Sequence, residues 1–221
     1  MEKVRILSIE KDTHDVMHII TEKPQTITFT PGQAVDVSVL TPNWEDEQRP
    51  FTFTSLPKDD YLEFFVKVYA EDDGVTNQVG QLERGDSLKL GEVFGAINYQ
   101  DEGIFIAGGA GVTPFISILK SLGDQNKIGD NTLIFVNKKY EDIIQRSYFE
   151  KILGENFINV LSDEEKKGCE HGYITKDIIK KQQDGKDKYV YLCGPPAMMD
   201  AVLKELKELG VEDEYIVTEE P

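Results

Sequence analysis

Four short stretches carry residue types from which a binding chemistry could be built. "AGGAGVTPF", residues 107–115, follows the apolar run Ile104–Ile106 and precedes a helical pattern, Phe115–Leu122. Gly109 and Gly111 let a backbone approach a pyrophosphate closely. The spacing is not G-x-G-x-x-G, because Pro114 stands at the third glycine position. A proline in the first helical turn costs nothing there, since that amide has no intrahelical partner and its φ already suits. Val112, Thr113 and Pro114 then open a helix whose N-terminus can face a phosphate. Taken alone, the loop reads equally well as a plain strand-to-helix turn. "CGPPAMM", residues 193–199, repeats the arrangement. Cys193 ends a strand, and Gly194, Pro195 and Met198 turn into the next helix. Cys193 alone reads as a small buried residue. Two such turns on one edge of a parallel sheet favour a ligand site, because ligands bind at the carboxyl ends of strands.

The other two stretches lie upstream. "RPFTFTS", residues 49–55, puts Arg49, Pro50, Phe51 and Thr52 in one strand. Alternation places Arg49, Phe51, Phe53 and Ser55 on one face, with Thr52 and Thr54 on the other, unless Pro50 bends the start. A guanidinium beside an aromatic suits a flat, phosphate-bearing ligand, although an ordinary barrel strand has the same look. "DDGVTNQ", residues 72–78, offers a tight turn at Gly74 and a helix start at Val75, with Thr76 or Asn77 as cap. No metal site is expected. Cys169 and Cys193 form neither a disulfide framework nor a C-x-x-C pair. His14 and His18 are four apart, but "VMHIITE" reads as a strand and no further ligand completes a set.

These stretches need two kinds of scaffold. The first hundred residues read as short strands at Val4–Ile9, Val16–Thr21, Thr26–Phe29, Ala34–Leu40, Phe51–Ser55, Leu62–Tyr69 and Ser87–Val93, separated by turns and interrupted by one helix over Val75–Leu82. That pattern predicts an antiparallel β-barrel or sandwich. In the second half, strands at Ile104–Ala107, Leu133–Val136, Ile158–Leu161, Tyr189–Cys193 and Tyr215–Val217 alternate with helices at Phe115–Leu122, Arg146–Leu153, Thr175–Gln182 and Ala197–Leu209. Such alternation predicts an α/β domain with a parallel sheet. The expected division is a β domain over 1–99 and an α/β nucleotide-binding domain over 100–221.

Composition narrows the partners. The 221 residues carry a net charge of −17, which repels a phosphate backbone and argues against nucleic acid. No apolar run approaches the ~20 residues of a membrane span. The amino-terminal stretch lacks the apolar centre of a signal peptide, and the expected location is the cytoplasm. An acidic protein partner would need a local basic patch, for which Lys138–Lys139 and Lys176–Lys188 are the candidates.

The order "RPFT", "FVKVYAEDDGVTNQ", "GGAGVTPF", "CGPPAMM" resembles the ferredoxin–NADP reductase superfamily, and within it the flavodoxin-reductase-like proteins, from about Val4 to Val217. The resemblance implies a barrel that binds a flavin, FAD rather than FMN. Arg49 would hold a flavin phosphate, Phe51 would lie against the isoalloxazine ring beyond Pro50, and Thr52 would hydrogen-bond flavin N5. Val66, Lys67, Val68 and Tyr69 would run along the ribityl and phosphate groups, with Gly74, Val75 and Thr76 at the pyrophosphate. NADH or NADPH would lie over Gly109, Gly111, Val112, Thr113 and Pro114, with Cys193 near nicotinamide C4 and Gly194, Pro195 and Met198 continuing that surface. Thr52 and Cys193 are thus the expected catalytic contacts. The resemblance also implies transfer of hydride from nicotinamide C4 to flavin N5, then of electrons to an acceptor such as flavodoxin or ferredoxin.

The chain departs from the family in two places. Phe51 replaces a commoner tyrosine, and the end "YIVTEEP" has no terminal aromatic to cover the flavin. Ser162-Asp163 stands where NADPH-using members often carry Ser-Arg, and leans toward NADH, with Lys166 and Lys167 as a counterweight. A reductase of free flavin and a non-catalytic sensor or coupling subunit are the alternative functions.

Overall fold

The computed structural model describes residues 1–69, 74–183 and 188–219. Asp72 and Asp73 of the "DDGVTNQ" stretch, part of the Lys176–Lys188 stretch, and Glu220 lie outside the described residues. The chain forms two compact units, one of residues 1–98 with 113–121 and one of residues 99–112 with 122–221.

The first unit is a nearly closed antiparallel barrel. Its strands are β1 (Glu2–Lys11), β2 (Val16–Glu22), β3 (Ala34–Val39), β4 (Arg49–Thr52), β5 (Tyr61–Lys67) and β6 (Ser87–Phe94), in the order β4-β3-β6-β1-β2-β5. Period-two patterning sets the inner face: Val35, Val37 and Val39 of β3 and Leu88 and Leu90 of β6 are all 0% exposed. The two ends of the sheet meet just past β4, where the Thr54 N–H donates to the Glu63 carbonyl at 2.9 Å.

Three local expectations are corrected. Residues 26–29 form no strand: a turn follows Pro24, whose carbonyl accepts the Ile27 N–H at 3.1 Å, and Ile27 and Phe29 reach the core from irregular chain. Helix α1 (Val75–Val79) stops short of Leu82. Its N-cap is Gly74 with no side-chain cap, so neither Thr76 nor Asn77 caps it.

Helix α2 (Thr113–Asp124) contributes residues 113–121 to this unit. Ser117 Oγ accepts the Gly32 N–H at 2.9 Å. Gly32 has φ +99°, and a Cβ there would stand 2.2 Å from the Ile97 carbonyl oxygen, so the position requires glycine.

The second unit is a six-stranded parallel sheet. It comprises β7 (Gly103–Gly108), β8 (Thr132–Asn137), β9 (Phe157–Leu161), β10 (Glu170–His171), β11 (Tyr189–Cys193) and β12 (Ile216–Thr218), in the order β10-β9-β8-β7-β11-β12. Helices α3 (Arg146–Leu153), α4 (Lys176–Gln183) and α5 (Pro196–Glu208) join the strands. Every residue of β7 is buried, as a central parallel strand covered on both faces must be. The two-residue β10 has too little apolar pattern to be read from sequence. Strand order runs one way from β7 through β8 and the other way through β11. The topological switch point is therefore the β7/β11 boundary, where such sheets bind ligands.

Candidate functional site

The loops after β7 and β11 meet at that switch point, since Cys193 pairs with Ala107 in register. Glycine is what allows them to touch. A Cβ on Gly111 would lie 2.5 Å from the Cys193 carbonyl oxygen and 2.7 Å from Gly194 Cα. One on Gly194 would lie 2.6 Å from Met198 Cε, and one on Gly108 would lie 2.5 Å from Met198 Sδ. Gly111 thus serves loop-on-loop packing. Gly109 is different: its φ is +51° and nothing lies within 4 Å of a Cβ there. That left-handed residue, in the 3-10 turn Gly109–Val112, leaves an open cradle over the strand end. Val112 is buried, and Pro114 sits in the first turn of α2 behind Thr113, whose side chain is 7% exposed.

Cys193 is 8% exposed. Burial, with a further push from the Glu219 charge, raises its thiol to about 12. It is therefore a neutral thiol at physiological pH and no nucleophile. Glu219 is an exposed residue, yet neighbouring atoms crowd its carboxyl enough to raise its pKa.

On the other flank, the turn after β9 is tied to the end of β8. Ser162 N–H donates to the Asn137 carbonyl at 3.0 Å, and Asp163 N–H to that of Lys138 at 2.9 Å. Ser162 Oγ donates to Asp163 Oδ1 at 2.6 Å. Beside this turn lies a cavity of about 480 Å³ lined by Lys139, Tyr140, Arg146, Asp163, Glu164 and Lys166, among others. Arg146 and Lys166 stack over the Tyr140 ring at 4.3 and 3.7 Å. Gly172 N–H donates to the Leu161 carbonyl at 2.8 Å, placing Tyr173, 81% exposed, next to the same turn. Sequence reasoning missed Tyr140 and Tyr173. Neither sits in a motif, and only the fold brings them to this edge.

In the barrel, Arg49 is exposed and donates to the Gln48 carbonyl at 2.7 Å, with Glu47 3.7 Å away. Pro50 is exposed and Thr52 half-buried. Phe51 differs from the expectation of a ring turned to a ligand. It is 3% exposed and packs edge-on to Phe64 within the core. Burial alternates over Phe51, Thr52 and Phe53, with both rings against Phe64, and the alternation ends at Thr54 and Ser55, both buried where the barrel closes. Val66 is a core side chain. Val68 N–H donates to the Asp15 carbonyl at 2.7 Å, and Lys67 Nζ bridges the Asp15 carboxylate at 2.8 Å. Tyr69 is 49% exposed, and a Cβ on Gly74 would meet nothing within 4 Å. An accessible guanidinium, an exposed aromatic and an open glycine turn fit an elongated, phosphate-bearing flavin.

Beneath this surface lies a charge cluster. Glu63 is 7% exposed. Its carboxylate takes a hydrogen bond from Thr54 Oγ1 at 2.8 Å, contacts His18 Nε2 at 2.9 Å and is paired with Lys120 of α2. Burial alone would raise the Glu63 pKa, but His18, Lys120 and Thr54 together lower it to about 2. Burial likewise opposes the charged form of His18, but the Glu63 hydrogen bond and charge, with Glu10 behind them, raise its pKa.

Two protein-family models match the chain: an FAD-binding domain over residues 1–86 and an oxidoreductase NAD-binding domain over residues 105–204. Among curated relatives, the toluate 1,2-dioxygenase electron transfer component of Pseudomonas putida is 26% identical over 193 residues, covering 84% of this chain and 56% of the relative. NADH-cytochrome b5 reductase 1 of Aspergillus terreus is 30% identical over 179 residues, covering 72% and 60%. The chain thus spans less than two thirds of either relative's length. Among solved structures, a ferredoxin NADP+ reductase from Neisseria gonorrhoeae with bound FAD and NADP shares the fold. Its TM-score is 0.83 at 17% identity, covering 98% of this chain and 97% of that one.

Proposed function

The chain belongs to the ferredoxin–NADP reductase superfamily, and from that premise we propose that it is an FAD-dependent NAD(P)H oxidoreductase. The observation that carries the reading is the pair of glycine-tight loops at the β7/β11 switch point, with Gly109 open above them. Flavin, when bound, supplies the capacity to accept hydride from the nicotinamide and pass electrons onward. The protein's part is placement. Arg49 would hold a flavin phosphate, Tyr69 and Gly74 would line the rest of the cofactor, and Thr52 would offer its hydroxyl to the flavin ring. Gly109 and the start of α2 at Thr113 and Pro114 receive the nucleotide pyrophosphate. Cys193, kept neutral by burial, brings no charge beside the nicotinamide and does not attack it. Gly194, Pro195 and Met198 support that surface from the β11 side.

The preferred nucleotide is NADH. One oxygen of Asp163 is engaged by Ser162, and the carboxylate would accept from a ribose hydroxyl and repel a 2′-phosphate. Tyr173 offers an exposed face for adenine. The acceptor is a small electron carrier such as flavodoxin or ferredoxin, received at Lys138–Lys139. The setting is the cytoplasm, which keeps Cys169 and Cys193 as unpaired thiols.

The test is anaerobic mixing of FAD-loaded protein with NADH and with NADPH. Loss of the flavin absorbance, faster with NADH, is expected. A flavin that stays oxidised with both refutes the proposal. A second reading, reduction of free flavin, draws on Phe51, which lacks a hydroxyl and is packed in the core. Turnover that saturates in added riboflavin would select it.

A further inference from the structure

The Glu63 carboxylate joins three separate parts of the first unit. Thr54 lies two residues beyond Thr52 and is fixed to Glu63 twice, through its N–H to the Glu63 carbonyl at 2.9 Å and through Oγ1 to Oε2 at 2.8 Å. The Glu63 N–H donates to Ser55 Oγ at 3.2 Å. The same Oε2 receives Lys120 Nζ, 57 residues away in sequence, on the helix that begins with Thr113 and Pro114. Oε1 faces His18, whose ring stacks on Phe65 with centroids 4.5 Å apart. A buried carboxylate with donors on both oxygens is rigid, because every alternative position leaves a desolvated charge unpaired.

We propose that Glu63 and Lys120 are positioning residues that hold the Thr52–Ser55 segment and helix α2 in register with each other for hydride transfer. This rests on the functional reading above. The two segments it ties are the strand end proposed to face the flavin and, through Lys120 two turns past its start, the helix whose first residues, Thr113 and Pro114, are proposed to receive the nucleotide. A misplacement of about 1 Å in such groups can cost on the order of 100-fold in rate.

The test uses the full chain with Glu63→Gln, Lys120→Met and Lys120→Arg. Hydrogen exchange of the flavin-free proteins is read at residues 52–55 and 113–121, and anaerobic flavin reduction by NADH is read on the FAD-loaded proteins. Lys120→Met is expected to raise exchange in both segments and to slow reduction about tenfold or more. Its FAD dissociation constant should stay within about threefold. Lys120→Arg should restore both readouts toward wild type, since it keeps the charge, and Glu63→Gln should resemble Lys120→Met. Unchanged exchange at 113–121 in folded Lys120→Met, or faster exchange there without any at 52–55, overturns the proposal. If wild-type protein is not reduced at all, the functional reading fails, and the exchange data still decide whether one carboxylate ties the two segments.

Discussion

Gly111→Ala tests the nucleotide loops most sharply, because the structure sets what the added methyl meets. The new Cβ would stand 2.5 Å from the Cys193 carbonyl oxygen and 2.6 Å from its carbonyl carbon. That is about 0.9 Å inside the 3.4 Å at which ordinary contact begins. Both neighbours are backbone atoms at the end of a buried strand and cannot swing aside. The loops after β7 and β11 must therefore separate. Overpacking of this kind costs roughly 1–3 kcal/mol, which for a chain of this size lowers Tm by roughly 2–12 °C. Gly109→Ala is the contrast. It meets no atom within 4 Å, and its cost is the left-handed φ of +51°, about 1–2 kcal/mol. Calorimetric titration with NADH should show affinity falling about tenfold or more for Gly111→Ala, because 1.4 kcal/mol is a factor of ten, while FAD binding is unchanged. A Gly111→Ala protein with wild-type Tm and wild-type NADH affinity would refute the packing argument and the placement of the nucleotide over these loops.

Other perturbations probe the remaining parts. Arg49→Ala should weaken FAD binding about 10- to 100-fold in fluorescence titration, since a hydrogen bond to a charged group contributes roughly 1.5–3 kcal/mol. Asp163→Arg should reverse the nucleotide preference, read as the ratio of the reduction rates with NADPH and NADH. Cys193, with a pKa of about 12, should resist iodoacetamide at pH 7.5 while the less buried Cys169 is labelled, as mass spectrometry of the peptides will report. The Glu63 cluster gives stability a pH window. Glu63 is lowered from 4.5 to about 2, so its contribution, about 3 kcal/mol, is present above pH 4.5 and lost as pH falls toward 2. His18 is raised above 6.5, so its contribution is full below pH 6.5 and lost as pH rises through its folded value. The Tm gap between wild type and Glu63→Gln should therefore be widest between about pH 4.5 and 6.5, and a gap that does not vary with pH would contradict the cluster's charge state.

Much of the scaffold was legible because its signals are local. Alternating Val35, Val37 and Val39 mark a half-buried strand, and Pro114 and Pro195 mark helix starts after apolar runs. The strand 26–29 was misread because Ile27 and Phe29 have strand-like chemistry but follow the turn at Pro24, and burial alone satisfies them. Phe51 shares the core face with Phe53, as alternation places it, while the ring contact with a flavin is what the resemblance implies. The packing demand on Gly111 is not legible in the sequence, since the Cys193 carbonyl it must accommodate lies 82 residues further along the chain. The same distance hid the charge cluster. His18 and Lys120 stand 45 and 57 residues from Glu63, and in sequence His18 is only a polar residue in an apolar strand.

The proposed reaction is hydride transfer from NADH to bound FAD. The most direct measurement is single-turnover anaerobic reduction of the FAD-loaded protein by saturating NADH, with and without deuterium at the transferred C4 position. Complete loss of the flavin absorbance, slowed by deuteration, is expected. Flavin that remains oxidised in the presence of excess NADH and of excess NADPH would contradict it.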